Sequence, residues 1–307
     1  MCISPPEFVC VVVDCESVRP GQPCIDDDCP HATVHASSTN AGRETPVAPE
    51  QISGAIMNKK YITESFNKYF SSVFTAEDTT DIPFPSSMTP GSAAESLHDI
   101  MFTEQDVIKV LSRLRSDKAA GADDLSPRFL LEIKEFIAHP LYLLFRKSLD
   151  EGVVPQDWKC ANITPIYKKG SRSRAENYHP VSLTSQISKV FETLIRDAMV
   201  QYLETNSIIS DSQHGFRKGR SCLTNILTFL DRVTGCVDSG EDVDVIFMDF
   251  AKAFDKVPHI RLNRKLQSHG ISGKLLNWIS EWLAGRVQRV CINGVYSGWQ
   301  LVTSGVP

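Results

Sequence analysis

The sequence predicts an α+β fold, and three observations carry that prediction. Apolar residues recur at helical spacing from Tyr61 through most of the chain. A short apolar run, Val243 to Phe250, has strand character and ends in Asp249-Phe250. Near the end, Arg286–Ile292 and Val295–Val302 flank Asn293-Gly294, the dipeptide that best fits a two-residue hairpin turn. Helices first and strands later make segregated layers the natural architecture.

Residues 1 to 55 carry no sustained period and few large apolar side chains after Val18, so they are expected to form a disordered leader. Cys24, Cys29, His31 and His35 lie close together there. A zinc finger puts about a dozen residues between its ligand pairs, and one residue separates Cys29 from His31, so a zinc site is not expected. Residues 56–100 form a helix plus a linker. Ile62, Phe66, Tyr69, Phe70 and Val73 share a face with Tyr61, and Pro83, Pro85, Pro90 and Gly91 mark the linker beyond that helix. Thr103 with Asp106 is a capping box opening a helix whose stripe is Val107, Ile108, Leu111 and Leu114. Lys118 to Leu125 is a loop, and Ser126-Pro127 starts a helix with Phe129, Leu130 and Ile133 facing inward. His139-Pro140 starts the next, which closes at Gly152. Ala161 to Tyr167 is β-like, followed by a polar turn from Lys168 to Arg174. Ile187, Val190, Phe191, Leu194, Ile195, Ala198, Met199, Tyr202 and Leu203 keep the 3.6 period for five turns. Further helices are expected over Leu223–Val237, Leu262–Leu266 and Leu275–Leu283, and Val243–Phe250 is expected to be a buried strand.

Charge bears on the partner. The whole chain of 307 residues carries −5, with a pI of about 5.9, which does not suggest a polyanion partner. The distribution says otherwise. Met1 to Asn58 holds eight acidic against two basic residues, whereas Lys159 to Arg220 holds ten basic against five acidic, and Ala251 to Pro307 eight against two. The basic segments could meet a nucleic acid while the acidic leader lies elsewhere. Nine cysteines, four of them (Cys160, Cys222, Cys236, Cys291) single within periodic apolar segments, suit reduced thiols inside a cell. No apolar stretch approaches the roughly 20 residues of a membrane span, and Phe8 to Val13 is too short and too acidic at its flank for a signal peptide, so an intracellular protein without a membrane partner is expected.

Taken alone, an aspartate after a strand more often caps a turn than does chemistry. Its surroundings change that. Asn177-Tyr178-His179-Pro180-Val181-Ser182-Leu183, His214-Gly215-Phe216-Arg217-Lys218-Gly219-Arg220-Ser221, Asp249-Phe250-Ala251-Lys252-Ala253-Phe254-Asp255 and Ser304-Gly305-Val306-Pro307 come one after another in order. With Phe66–Phe74, Lys118–Leu130 and Val154–Lys159, these blocks resemble successive blocks of the reverse transcriptases of non-LTR, LINE-type retrotransposons, jockey-like elements among them. The resemblance covers Tyr61 to Pro307.

The resemblance implies helical fingers over 101–242 and a partial palm over 243–307 of a right-hand polymerase, with the thumb absent. It implies an RNA template, a DNA primer and dNTPs as partners and Mg²⁺ as cofactor, the metal being clamped by hard carboxylate oxygens. Asp249 would be the catalytic, metal-bridging carboxylate, helped by the Phe250 carbonyl, and Phe254 the gate against a ribose 2′-hydroxyl. Lys168, Lys169 and His179 would meet the nucleotide, and Arg172, Arg174, Arg217, Lys218 and Arg220 the nucleic acid. His179 stands where the family has arginine; a mostly neutral imidazole replaces a permanent five-donor cation, which should weaken nucleotide binding. Asp255 is expected to be structural. The family's paired aspartates, which come after the Ser-Gly-Val-Pro block, find no counterpart after Asp249, and neither does an endonuclease before Tyr61. The expectation is therefore a polymerase fragment that does not extend a primer alone, with the palm's apolar face uncovered. The alternative is a non-catalytic, nucleic-acid-binding remnant of such an element.

Overall fold

A computed structural model describes the backbone of Cys10–Val12 together with residues 59–80, 82 and 96–307. The remaining leader, the zinc-like constellation and most of the Thr79–Ser96 linker lie outside the described residues. The chain divides into two compact units: Met1–Val47 with Ser210–Ala251, and Ala48–Ile209 with Lys252–Pro307.

The larger unit is built on a small mixed sheet and a helical core. Helix α1 (Lys59–Ser72) is followed by α2 (Glu104–Leu111), α3 (Pro127–Glu132) and α4 (Lys134–Glu151). Strand β2 (Cys160–Tyr167) and strand β3 (Tyr178–Leu183) form an antiparallel hairpin, and α5 (Gln186–Thr205) follows. After the smaller unit come α7 (His259–Ser268), α8 (Gly273–Leu283), β5 (Val287–Ile292), β6 (Val295–Tyr296) and β7 (Gln300–Leu301). The strand order is β3-β2-β5-β6, with β2 and β5 parallel and β7 also paired to β5.

Local chemistry explains the element starts. Thr103 and Asp106 make the reciprocal capping box, and Ser126 accepts from the Phe129 amide with Pro127 as first helical residue. Gly152 closes α4 at φ 64°, and Asn293 (φ 51°) with Gly294 (φ 76°) joins Ile292 to Val295 in a tight hairpin. The packing is equally specific. Phe191 lies stacked on Phe145 at 4.7 Å, with Trp278 edge-on at 5.0 Å, in a core that also holds Val107, Leu111, Leu149 and Leu275. A second cluster sets Phe66 and Phe70 of α1 against Ala161, Ile163 and Val290 of the sheet, and Phe66 meets Tyr178 edge-on at 4.8 Å.

Helix α1 is bound to the sheet by polar contacts as well. The Asn67 amide donates to the Gly298 carbonyl at 2.8 Å, and the Glu64 carboxylate accepts from the Gly298 amide at 2.8 Å.

Several expectations need correction. Helix α4 begins at Lys134 rather than at Pro140, which lies inside it. Pro140 has no N–H to offer the Phe136 carbonyl, and both residues lie on an exposed face of the helix, where the loss is least costly. Of the residues expected to face inward from α3, Leu130 is buried in the core, whereas Phe129 is 50% exposed. Strand β3 escaped the periodicity reading because Pro180 lies within it, and it is an edge strand, where proline is tolerated.

The smaller unit holds α6 (Cys222–Asp238) and a two-stranded pairing of β1 (Cys10–Val12) with β4 (Ile246–Met248). The expected buried strand Val243–Phe250 shrinks to these three residues, and none is buried: Ile246, Phe247 and Met248 are exposed, like Leu223, Ile226, Leu227 and Leu230 along α6. Phe229 and Phe247 meet at 6.4 Å, yet no residue of α6 is buried. Among the described residues, this part of the chain therefore carries an exposed apolar surface. The rest of the segment after Val243 is not loose, since α8 and β5 lie in the cores.

Candidate nucleotide and nucleic-acid site

The β2–β3 hairpin ends in a tip whose shape is set by hydrogen bonds. The Lys168 amide donates to the Asn177 carbonyl at 2.8 Å, and the Tyr167 hydroxyl donates to the Gly170 carbonyl at 2.6 Å. Gly170 adopts φ 86°, and a Cβ there would meet the Asn177 side chain at 2.7 Å, so the tip requires glycine. The Asn177 amide group donates in turn to the Ser171 carbonyl at 2.8 Å. Lys168 and Lys169 are exposed on this tip. Arg172 lies over the Tyr167 ring at 4.5 Å, and Arg174 pairs with Glu176 at 2.9 Å.

His179 opposes Ile166 across the hairpin. Desolvation pushes its imidazole below the usual value, and Lys252 and Lys168 push in the same direction against Asp255. Asp255 is itself desolvated, and burial raises its carboxyl pKa while Lys252 and His179 oppose the rise. The structure thus brings Lys168, His179, Lys252 and Asp255 into one electrostatic neighbourhood.

The turn that carries Phe254 and Asp255 is held from both sides. The Ser304 hydroxyl donates to the Asp255 carbonyl at 2.7 Å and accepts from the Thr75 amide at 2.8 Å. Thr75 Oγ1 donates to the Lys256 carbonyl at 3.0 Å. The Gly305 amide donates to the Val257 carbonyl and the Val306 amide to the Phe254 carbonyl, at 2.8 and 3.0 Å. Glu77 caps the start of α7, accepting from the amides of Ile260 and Arg261 at 3.0 and 2.9 Å. Phe254 keeps 45% of its surface exposed. Sequence reasoning missed this brace of Thr75, Glu77 and Ser304, because its partners lie far apart along the chain.

In the smaller unit, Asp249 follows β4 and Phe250 is 78% exposed. The His214–Ser221 loop closes on itself. His214 is buried, its Nδ1 2.8 Å from Thr224 Oγ1. That hydroxyl donates to the Ser221 carbonyl, so Nδ1 is the donor and Nε2 faces Arg220. Arg220 donates to the Asp211 carbonyl and carboxylate at 3.0 and 3.3 Å, and Arg217 to the Ser210 carbonyl at 3.0 Å. Lys218 is exposed. Two of the three cations thus shape their own loop.

A profile of the family described as "Reverse transcriptase (RNA-dependent DNA polymerase)" matches residues 166–307, from the hairpin tip through Asp249 to the C-terminal strap. This segment belongs to the reverse transcriptase family. The chain is similar to the probable RNA-directed DNA polymerase from transposon X-element of Drosophila melanogaster, 30% identical over 207 residues, which is 67% of this chain and 23% of that protein. It is also similar to the RNA-directed DNA polymerase from mobile element jockey of Drosophila melanogaster, 27% identical over 67% of this chain and 22% of that protein. A third relative is the retrovirus-related Pol polyprotein from type-1 retrotransposable element R2 of Popillia japonica, 26% identical over 42% of this chain and 18% of that protein. The chain thus spans less than a quarter of the length of these relatives. The resemblance to non-LTR retrotransposon reverse transcriptases holds, and the small mixed sheet with flanking helices is compatible with part of such a domain.

A divalent metal is general to this family. Among the described residues no three His, Cys, Asp or Glu side chains converge on a point that could hold an ion. A two-ion centre needs several oxygen ligands around ions about 3.5–4 Å apart, more than the one carboxylate expected at Asp249. The described residues do not fit a complete metal centre. Among them, too, no helix is long and apolar enough to cross a membrane.

Proposed function

We propose that this chain provides the nucleotide-gripping part and the first carboxylate of an RNA-directed DNA polymerase, with an RNA template, a DNA primer and a dNTP as substrates. The observation that carries the reading is the continuous family match from Ile166 to Pro307, which contains the hairpin tip, Asp249 and the strapped Phe254 turn in one stretch.

Residues 101–242 act as fingers and 243–307 as part of the palm. The division is functional, and it cuts across the two compact units. Lys168, Lys169 and His179 face the triphosphate; Lys cations offer point charges to phosphate oxygens, while His179, held largely neutral, contributes hydrogen bonding more than charge. Arg172, Arg174 and Lys218 meet nucleic-acid phosphates, with Arg217 and Arg220 keeping their loop in shape. Phe254 presents a ring to the sugar and disfavours a 2′-hydroxyl. Asp249 is the carboxylate that would contact a divalent ion, and Phe250 supplies its carbonyl beside it. Because the described residues do not make up a two-ion centre, no step through Mg²⁺ is assigned, and the chain by itself is expected to bind substrates without joining them.

Template–primer binding tests the reading. The chain should bind an RNA–DNA hybrid with an affinity that falls steeply with salt, and Arg172→Ala with Lys218→Ala should flatten that dependence. Salt-independent binding, or none, would remove the nucleic-acid half of the proposal.

A further inference from the structure

The two faces of the mixed sheet are covered unequally. Ala161, Ile163 and Val290 turn towards α1, where Phe66 and Phe70 pack on them. Strand alternation and register put Asn162, Ile166, His179 and Arg289 on the opposite face, with Tyr296 across from Cys291 and Leu301 across from Val287. On that face Ile166, Tyr296, Trp299 and Leu301 keep between 36% and 56% of their surface exposed.

Arg289 stands at the centre of these side chains. Its guanidinium lies over the Tyr296 ring at 3.9 Å and over the Trp299 ring at 4.4 Å, and its Nε donates to Asn162 Oδ1 at 2.8 Å. Among the described residues no carboxylate forms an ion pair with it. The chain between the two rings is pinned as well. The Ser297 amide donates to the Val290 carbonyl at 2.9 Å, the Ser297 hydroxyl accepts from the Val290 amide at 2.8 Å, and Gly298 is tied to Glu64 and Asn67 of α1. Two exposed aromatic rings are thus held in fixed positions around one cation.

Exposed Trp and Tyr beside Arg suit either a protein contact or the faces of unpaired bases. The surroundings favour bases. The same face continues to Ile166 and His179 at the hairpin tip, which the polymerase reading gives to the nucleotide. The segment Ala251–Pro307, which carries all three side chains, holds eight basic residues against two acidic. Bases inside a duplex are already stacked on one another, so the free base faces belong to a single strand.

We propose that Trp299 and Tyr296, held in place by Arg289, form a stacking platform for unpaired bases of the RNA template strand beyond the primer. The inference rests on the polymerase reading and names a surface for one of its substrates.

The test is fluorescence anisotropy of the whole chain with three labelled probes: a blunt RNA–DNA hybrid, the same hybrid with an unpaired 5′ RNA overhang, and one whose overhang is abasic. The overhang should tighten binding by about tenfold, and the abasic overhang, which keeps the phosphates, should not. Trp299→Ala should erase the gain while leaving blunt-hybrid binding and the salt slope unchanged, since it removes a ring and no charge. Trp299→Phe keeps a ring and controls for folding. It should retain most of the gain yet lose the tryptophan quenching that overhang binding causes in the parent. Equal gain from the abasic overhang overturns the inference, as does a gain that Trp299→Ala leaves intact. An overhang that adds nothing in the parent overturns it too, and leaves the platform to a protein partner. The polymerase reading stands through each of these results. It fails separately, when the parent binds no hybrid at all, and the inference then falls with it.

Discussion

Gly305→Ala is the substitution that most sharply separates a strapped Phe254 turn from a loosely apposed one. Gly305 adopts φ 91°, where an L side chain is strained by about 1–2 kcal/mol. A Cβ built there would lie 2.8 Å from the Phe254 carbonyl oxygen and 2.9 Å from the Asp255 Cα and carbonyl oxygen. These are backbone atoms that cannot swing aside, so overpacking adds about 1–3 kcal/mol. The expected total is about 2–5 kcal/mol, or less where the strap detaches locally and leaves the cores intact. Gly219→Ala is the control: its φ is 75°, but nothing lies within 4 Å of the added Cβ, so only the conformational cost remains. Amide hydrogen exchange resolves the outcome. In Gly305→Ala the amides of Gly305, Val306 and Lys256 should lose protection, while those of α8 should change little. Equal protection of the strap in both proteins, with a melting temperature within a degree or so of the parent, would refute the reasoning.

Further outcomes rest on the same geometry. Phe191→Ala removes a fully buried ring that touches Phe145, Trp158 and Trp278, and should cost about 3–5 kcal/mol by denaturant unfolding of the larger unit. Burial alone would push the Asp99 carboxyl up, but its hydrogen bonds to Arg146 and the Ile100 amide win and hold it below the usual range; Asp150 is lowered chiefly by its hydrogen bonds to Arg146 and Lys274. Both depressed groups stabilise the fold above the ordinary aspartate pKa of about 4 and lose that contribution as pH falls through their folded values, so the Tm difference between the parent and Asp99→Asn should narrow in acid. If the His214–Ser221 loop meets nucleic acid as proposed, Lys218→Ala should lower the salt slope of binding by about one while leaving the melt unchanged. Arg220→Ala, which strips partners from Asp211 and His214, should also expose the buried His214 to exchange and broadening in NMR.

What could be read from the sequence was the chemistry of neighbours. The Thr103–Asp106 box, Ser126-Pro127, Gly152 and Asn293-Gly294 each determine a backbone event within a few residues, and each occurs where the residues require it. The five-turn stripe of α5 was equally plain, and Val190, Phe191, Leu194 and Ile195 are its buried face. Three features were hidden for physical reasons. Pro180 masks β3, whose strand state depends on its pairing with β2 at the sheet edge. The run through Ile246–Met248 has the composition of a buried strand, but composition states a need for cover and not that the cover is present. The brace around Asp255 joins Thr75 to Ser304 and Ser304 to Asp255 across 229 and 49 residues, separations at which no local pattern operates.

The central proposal is that this chain grips the substrates of an RNA-directed DNA polymerase, with Asp249 as a metal-binding carboxylate. Primer extension on an RNA template with Mg²⁺ and dNTPs, run beside template–primer binding on the same preparation, tests it most directly. The account predicts salt-sensitive binding without extension by the chain alone. Extension that Asp249→Ala abolishes would contradict it, by showing that a complete catalytic centre is already present.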